Sequence, residues 1–198
     1  MEEKGVSSIN IVTISVIIAL VIVAGCLILI DRNRPITENP SLITKNPSDM
    51  MLTLGDLSSN YKLDFEQFVN GPEEAAEQLT PNSVTVWSNW GFEVSCHRTF
   101  KDDSFGTTKE IWPSVDRYSS IDGAKSSYEY RKSILSDQLQ PMTETIGDES
   151  FAAHTTLDLF DIDAVYFIKN NIFVNITVNH LSLTDAILYA HIVESRIQ

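Results

Sequence analysis

IDAVYFIKNNIFVNITVN, residues Ile162 to Asn179, is the stretch from which the architecture of this chain can be read. Two apolar-rich runs, Ile162–Lys169 and Ile172–Asn179, flank Asn170-Asn171. Such a pair tolerates the left-handed backbone of a two-residue turn, so the stretch predicts an antiparallel hairpin. In its second strand, period-two alternation puts Val174, Ile176 and Val178 on one face and Phe173, Asn175, Thr177 and Asn179 on the other. Asn175 is therefore expected to point away from the main core with its side chain exposed. With Ile176 and Thr177 it forms the one complete N-x-Ser/Thr sequon, a candidate glycosylation site in a host that glycosylates exported proteins.

Downstream, Ser182 with Asp185 three residues on makes a variant of the capping box, and Leu183, Ala186, Ile187, Ala190, Val193 and Ile197 share one helical face. Upstream, Gly147-Asp148 marks a turn into a strand around Phe151. Ser120 opens a second helix, with Asp122 in its first turn and Ile121, Ala124, Tyr128 and Leu135 on one face. Strands are predicted at Leu63–Val69, Val84–Trp87, Gly91–Phe100 and Thr108–Tyr118, with a turn over Lys101–Gly106 and a short helix over Pro72–Leu79. Pro113 argues for an edge position or a bulge in its strand. The pattern is α+β: a mainly antiparallel sheet over residues 51–198, packed by a central and a C-terminal helix.

The N-terminal side is of another kind. After a short tail, residues 1–10, the run Ile11–Ile30 (IVTISVIIALVIVAGCLILI) carries no charge and is long enough as a helix to cross about 30 Å of hydrocarbon. The lipid bilayer is thus the first expected partner, through residues 11–30. Val23-Ala24-Gly25-Cys26 resembles the box after which bacterial-type lipoproteins are cut, which makes Cys26 a candidate lipidation site. Leu27–Ile30 continue the apolar run past that cysteine, as a retained signal-anchor transmembrane helix would. Either form holds the rest of the chain at a membrane. Residues 31–50, with Pro35, Pro40 and Pro47 and a short Ile-Thr-x-Asn-Pro-Ser repeat, read as a proline-rich stalk. Arg32 and Arg34 against Lys4 and the free amine lean the positive-inside count by one charge toward a cytoplasmic C terminus. The plan of short tail, one span, stalk and single domain is that of an exported anchored protein, and the domain is expected outside the cytoplasm.

Composition narrows the function. Of 14 basic and 27 acidic residues, only Lys4, Glu2 and Glu3 precede residue 31, so nearly all of the net charge of −13 belongs to the domain. That balance repels nucleic acid. Cys96 is the domain's single cysteine, and its neighbour His97 would point to the opposite face of a strand, which argues against a Cys-His pair. Asp158, Asp161 and Asp163 lack calcium-loop spacing, and no metal is assigned. His97, His154, His180 and His191 form no spaced pair, and no nucleophile elbow or phosphate loop is present, so neither catalytic residues nor a cofactor are assigned. Trp87, Trp90, Phe92, Trp112 and Tyr118 offer aromatic area. Most of it is expected to fill the sheet–helix interface, with Trp90, between Asn89 and Gly91, as the candidate exposed binding residue.

The order of Gly91-Phe92, Val115-Asp116-Arg117-Tyr118 before a helix near Ser120, Ile146-Gly147-Asp148-Glu149-Ser150, and a hairpin ending in Phe173-Val174-Asn175-Ile176 before a terminal helix resembles PsbP-like α/β sandwich ectodomains. It is also similar to small anchored lipoprotein-like domains of archaea and actinobacteria. The resemblance implies a mostly non-catalytic role and carries no functional residues. The expectation is a membrane-anchored extracytoplasmic binding or accessory domain, with another membrane or envelope protein as a further candidate partner. The alternatives are a surface hydrolase with a site assembled from distant residues, or a carrier of an apolar ligand.

Overall fold

The computed structural model describes residues 41–104, 106–157 and 160–198. The span at 11–30, Cys26 and the stalk before residue 41 lie outside the described residues. Among those described, no helix is long and apolar enough to cross a membrane.

Among the described residues, seven strands form one antiparallel sheet: β1 (Lys62–Asn70), β2 (Phe92–Asp102), β3 (Lys109–Tyr118), β4 (Leu139–Gln140), β5 (Glu149–Leu157), β6 (Phe160–Lys169) and β7 (Ile172–Asn179). Their order is β1-β2-β3-β7-β6-β5-β4, so the predicted hairpin lies inside the sheet and β3 docks on β7. Of the two turn residues, Asn170 takes the left-handed backbone, at φ 58°. Among the described residues, five α-helices accompany the sheet: α1 (Pro47–Met50), α2 (Gly71–Gln78), α3 (Val84–Trp90), α4 (Ile121–Ile134) and α5 (Leu183–Arg196).

Alternation along the strands sends apolar side chains to both faces, and each face has its own core. Ile172, Val174, Ile176 and Val178 join Cys96, Phe100, Ile111, Val115, Val165 and Phe167 beneath Ala186, Ala190 and Val193 of α5. On the other face Val69, Phe92, Tyr118, Tyr166, Ile168 and Phe173 meet Ala75 of α2, Trp87 of α3, and Ala124 and Tyr128 of α4. The central and C-terminal helices thus lie on opposite faces of the sheet. The capping box at Ser182 and Asp185 forms as the sequence predicts, and Ser120 caps α4 by accepting from Gly123 N–H at 3.0 Å.

Three expectations are corrected. Residues 42–50 are not stalk, because the domain packs from Leu42 onward and Met50, Met51 and Leu52 are fully buried. Pro47 is the first residue of α1, where its fixed φ suits a helix start, and Asn46 caps it by accepting from Ser48 N–H at 3.1 Å. Val84–Trp87 is helix rather than strand. Ser83 caps its start and Gly91, left-handed at φ 67°, closes its end, and these two caps outweigh the β preference of Val84, Thr85 and Val86. Pro113 stands in an inner strand. It is in register with Ile176 of β7, while pairing with β2 skips Arg98 and Thr99, so the missing N–H falls at an interruption of that ladder.

Candidate functional site

Cross-strand register assembles the polar residues of the face under α4 into rows. Ser95 stands beside Asp116, and His97 beside Ser114, which continues to Asn175 and Tyr166. Farther along the strands, Lys101 stands beside Glu110, then Asn179 and Ile162. These rows make two distinct polar groupings.

The first lies near the helices. Ser95 is fully buried, and its hydroxyl donates to Asp116 Oδ1 and meets His97 Nε2 at 2.8 Å. Ser95 owns one proton, so while Asp116 accepts it, His97 Nε2 must be the donor of the other bond. Serine is then the middle member, whereas a nucleophilic triad needs histidine there, with a free lone pair toward the serine. Burial pushes the Asp116 carboxyl above the ordinary aspartate range, and His97, the Ser95 hydroxyl and Arg131 pull it back. The Tyr118 hydroxyl, wholly buried beside Ser127 and in the field of Asp116, has no well-formed hydrogen bond among the described residues. Burial raises its pKa far above that of a free tyrosine.

The second grouping is a pocket of about 500 Å3 at the other end of the strands, with Lys101, Glu110 and Asn179 in its wall. Lys101 Nζ bridges Asp64 at 3.1 Å and Glu110 at 3.3 Å. Asn179, 2% exposed, donates to Glu110 Oε2 at 3.3 Å and accepts from Asp161 N–H at 3.3 Å. Asp103 pairs with Lys62 at 2.9 Å and accepts from Thr108 Oγ1 at 3.0 Å. Lys62 and Thr108 hold the Asp103 carboxyl below its usual range, which makes it a poor base toward the threonine. Phe160 contributes a ring that is 46% exposed, and His180 completes the rim with left-handed backbone at φ 55°. Ser95 and Lys101 are six residues apart on β2, about 20 Å at the rise of a strand, so pocket and serine–histidine pair are separate places.

The residues singled out from sequence are dispersed. Trp90 is the last residue of α3 and only half exposed, packed on Trp87 at 5.3 Å and Tyr130 at 5.4 Å between ring centroids. Asn175 is half-buried and accepts from Thr177 Oγ1 at 2.9 Å, because α4 and the aromatic residues cover the face it was expected to expose. Cys96 lies in the core on one face and His97 on the other. His154 pairs with Asp163 at 3.0 Å and Asp161 at 3.7 Å, and His191 with Glu144 at 3.3 Å and Glu194 at 3.4 Å. The Ser95–His97 contact carried a visible signal, since residues two apart on a strand share a face. The pocket carried none, because Lys101, Glu110 and Asn179 meet only through the register of three strands.

No family model matches this sequence, and no curated protein matches it. Among solved structures the chain is similar to the extracellular domain of PknH from Mycobacterium tuberculosis, with a TM-score of 0.57 at 8% identity over 76% of this chain and 94% of that one. At such low identity the likeness establishes a shared α+β fold.

Proposed function

We propose that this chain is a membrane-anchored binding domain that works outside the cytoplasm and holds a small polar ligand without transforming it. One observation carries the binding reading: the roomiest polar pocket among those described contains no activated nucleophile, while the part-buried serine–histidine contact lies elsewhere on β2, with Ser95 about 20 Å from Lys101. A pocket of about 500 Å3 falls within the usual range of small-molecule sites, roughly 300–1,000 Å3. Anchoring rests on Ile11–Ile30, and the extracytoplasmic placement draws support from the shared fold of an extracellular domain. The PsbP-like order of elements belongs to the same proposal.

The hydrolase reading has a specific observation behind it, the 2.8 Å contact of Ser95 with His97. Full burial of Ser95 and the hydrogen bond its hydroxyl donates to Asp116 rather than to His97 weigh against it. The apolar-carrier reading finds, among the pockets described, a cleft of about 270 Å3 beside Leu54, Leu63 and Phe100. That is smaller than such a cargo needs.

The full chain in lipid nanodiscs, incubated with ester, amide and phosphoester substrates, is expected to show no turnover that Ser95→Ala abolishes. Turnover that disappears in both Ser95→Ala and His97→Ala would replace binding with hydrolysis.

A further inference from the structure

The chemistry of the pocket between Lys101 and His180 selects among ligands, a selection that rests on the binding function proposed for this chain. Its charges are already matched: Lys101 lies between Asp64 and Glu110, and Asp103 is held by Lys62 and Thr108. A cationic ligand would have to compete with Lys101 and Lys62 for those carboxylates. An anionic one would enter a wall of three carboxylates with Lys101 as the nearby counter-charge. A cation would thus exchange one solvent-exposed ion pair for another, a trade worth little, and an anion would meet more negative than positive charge.

A neutral hydroxyl group faces no such exchange. An ionised carboxylate offers about four acceptor sites, and the ion pairs at Asp64, Glu110 and Asp103 leave several of them open to an O–H donor. The imidazole of His180 has no partner among the described residues and can add a donor or an acceptor. Asn179, nearly inaccessible and bonded on both sides of its amide, fixes the orientation of Glu110 before any ligand arrives. Binding therefore spends little on ordering the polar wall. The exposed Phe160 ring supplies the complementary feature, an apolar face in a polar pocket. A ring bearing hydroxyl groups on its edge and C–H groups on its face satisfies both.

We infer that this pocket binds a neutral, polyhydroxylated ligand of sugar-ring dimensions, with hydroxyls bridging the Asp64–Lys101–Glu110 and Asp103–Thr108 groups and one ring face on Phe160.

Titration calorimetry on the full chain in lipid nanodiscs tests it, with three probe sets: neutral mono- and disaccharides (glucose, galactose, N-acetylglucosamine, trehalose), charged compounds (spermidine, glucose 6-phosphate) and palmitate. The expected result is saturable binding of at least one neutral sugar, weakened about tenfold by Phe160→Ala and severalfold by Thr108→Val. Both substitutions sit at the surface and spare the core, and Leu188→Ser, on α5 across the sheet, should leave affinity unchanged. Binding of a charged probe alone would overturn the ligand class while leaving a binding domain. Sugar binding indifferent to Phe160→Ala would overturn the assignment to this pocket. Silence from all three sets, together with turnover that depends on Ser95, would overturn the binding reading as well.

Discussion

The Asp116 carboxyl is buried, and burial holds its pKa above the ordinary aspartate value of about 3.9 despite help from His97, Ser95 and Arg131. The consequence for stability has a definite sign. At low pH both folded and unfolded chains carry the proton, and Asp116 contributes nothing. As pH rises past the unfolded value, the unfolded chain releases its proton while the folded one still holds it, so stability falls until the folded pKa is passed. Asp116→Asn removes that slope and can still accept the Ser95 hydroxyl through Oδ1. Urea unfolding between pH 4 and 8 should show the variant matching the wild type at the acid end and exceeding it at pH 7. A wild type that gains on the variant as pH rises would mean that His97 and Arg131 outweigh burial. Here the sequence was only partly legible. Ser95 and His97 share a face by simple alternation, but Asp116 joins them through β2–β3 register, which no local pattern encodes.

Among the helices and strands, those whose ends carry strong local chemistry were readable. Ser120 and Ser182 start their helices, and Asn170-Asn171 turns its hairpin. α3 misled because its composition favours a strand while its caps dictate a helix. Its end is fixed by a close approach, since a Cβ on Gly123 of α4 would sit 1.9 Å from the Trp90 carbonyl oxygen. That oxygen belongs to the backbone and cannot swing aside. Gly123→Ala should therefore destabilise the domain by about 3 kcal/mol, at the upper end of overpacking costs, and loosen the Trp90–Tyr130 contact. Thermal unfolding monitored by tryptophan fluorescence would reveal both effects; an unchanged midpoint would mean that α3 and α4 slide apart freely.

Across the domain as a whole, the segment entering it is held by side chains far away in sequence. Asn171 accepts from Ile43 N–H at 2.8 Å and donates to the carbonyls of Ile43 at 3.1 Å and Tyr118 at 2.6 Å. Arg117 donates to the carbonyls of Thr44 and Lys45, and Arg196 reaches Met51 and Asp56. This attachment escaped the sequence because prolines at the spacing of a linker concealed a helix start at Pro47. Asn171→Ala removes buried bonds worth about 1 kcal/mol each and should cost about 2–3 kcal/mol in denaturant unfolding. If the entering segment is as firmly held as this, protease added to intact cells should release a fragment that begins before residue 42 and spares the peptide bonds around Met50–Leu52. Cleavage near residue 50 would restore the longer stalk, and full protection until lysis would place the domain in the cytoplasm.

Function, in this reading, belongs to the pocket at the Lys101–Glu110 end and not to the Ser95–His97–Asp116 group. Backbone amide shifts recorded by NMR during titration of the full chain in nanodiscs with the sugar that binds best distinguish the two. The largest changes are expected at Lys101, Thr108, Glu110, Asn179 and His180. Changes centred instead on Ser95, His97, Ser114 and Asp116, with the Lys101 end silent, would refute the assignment.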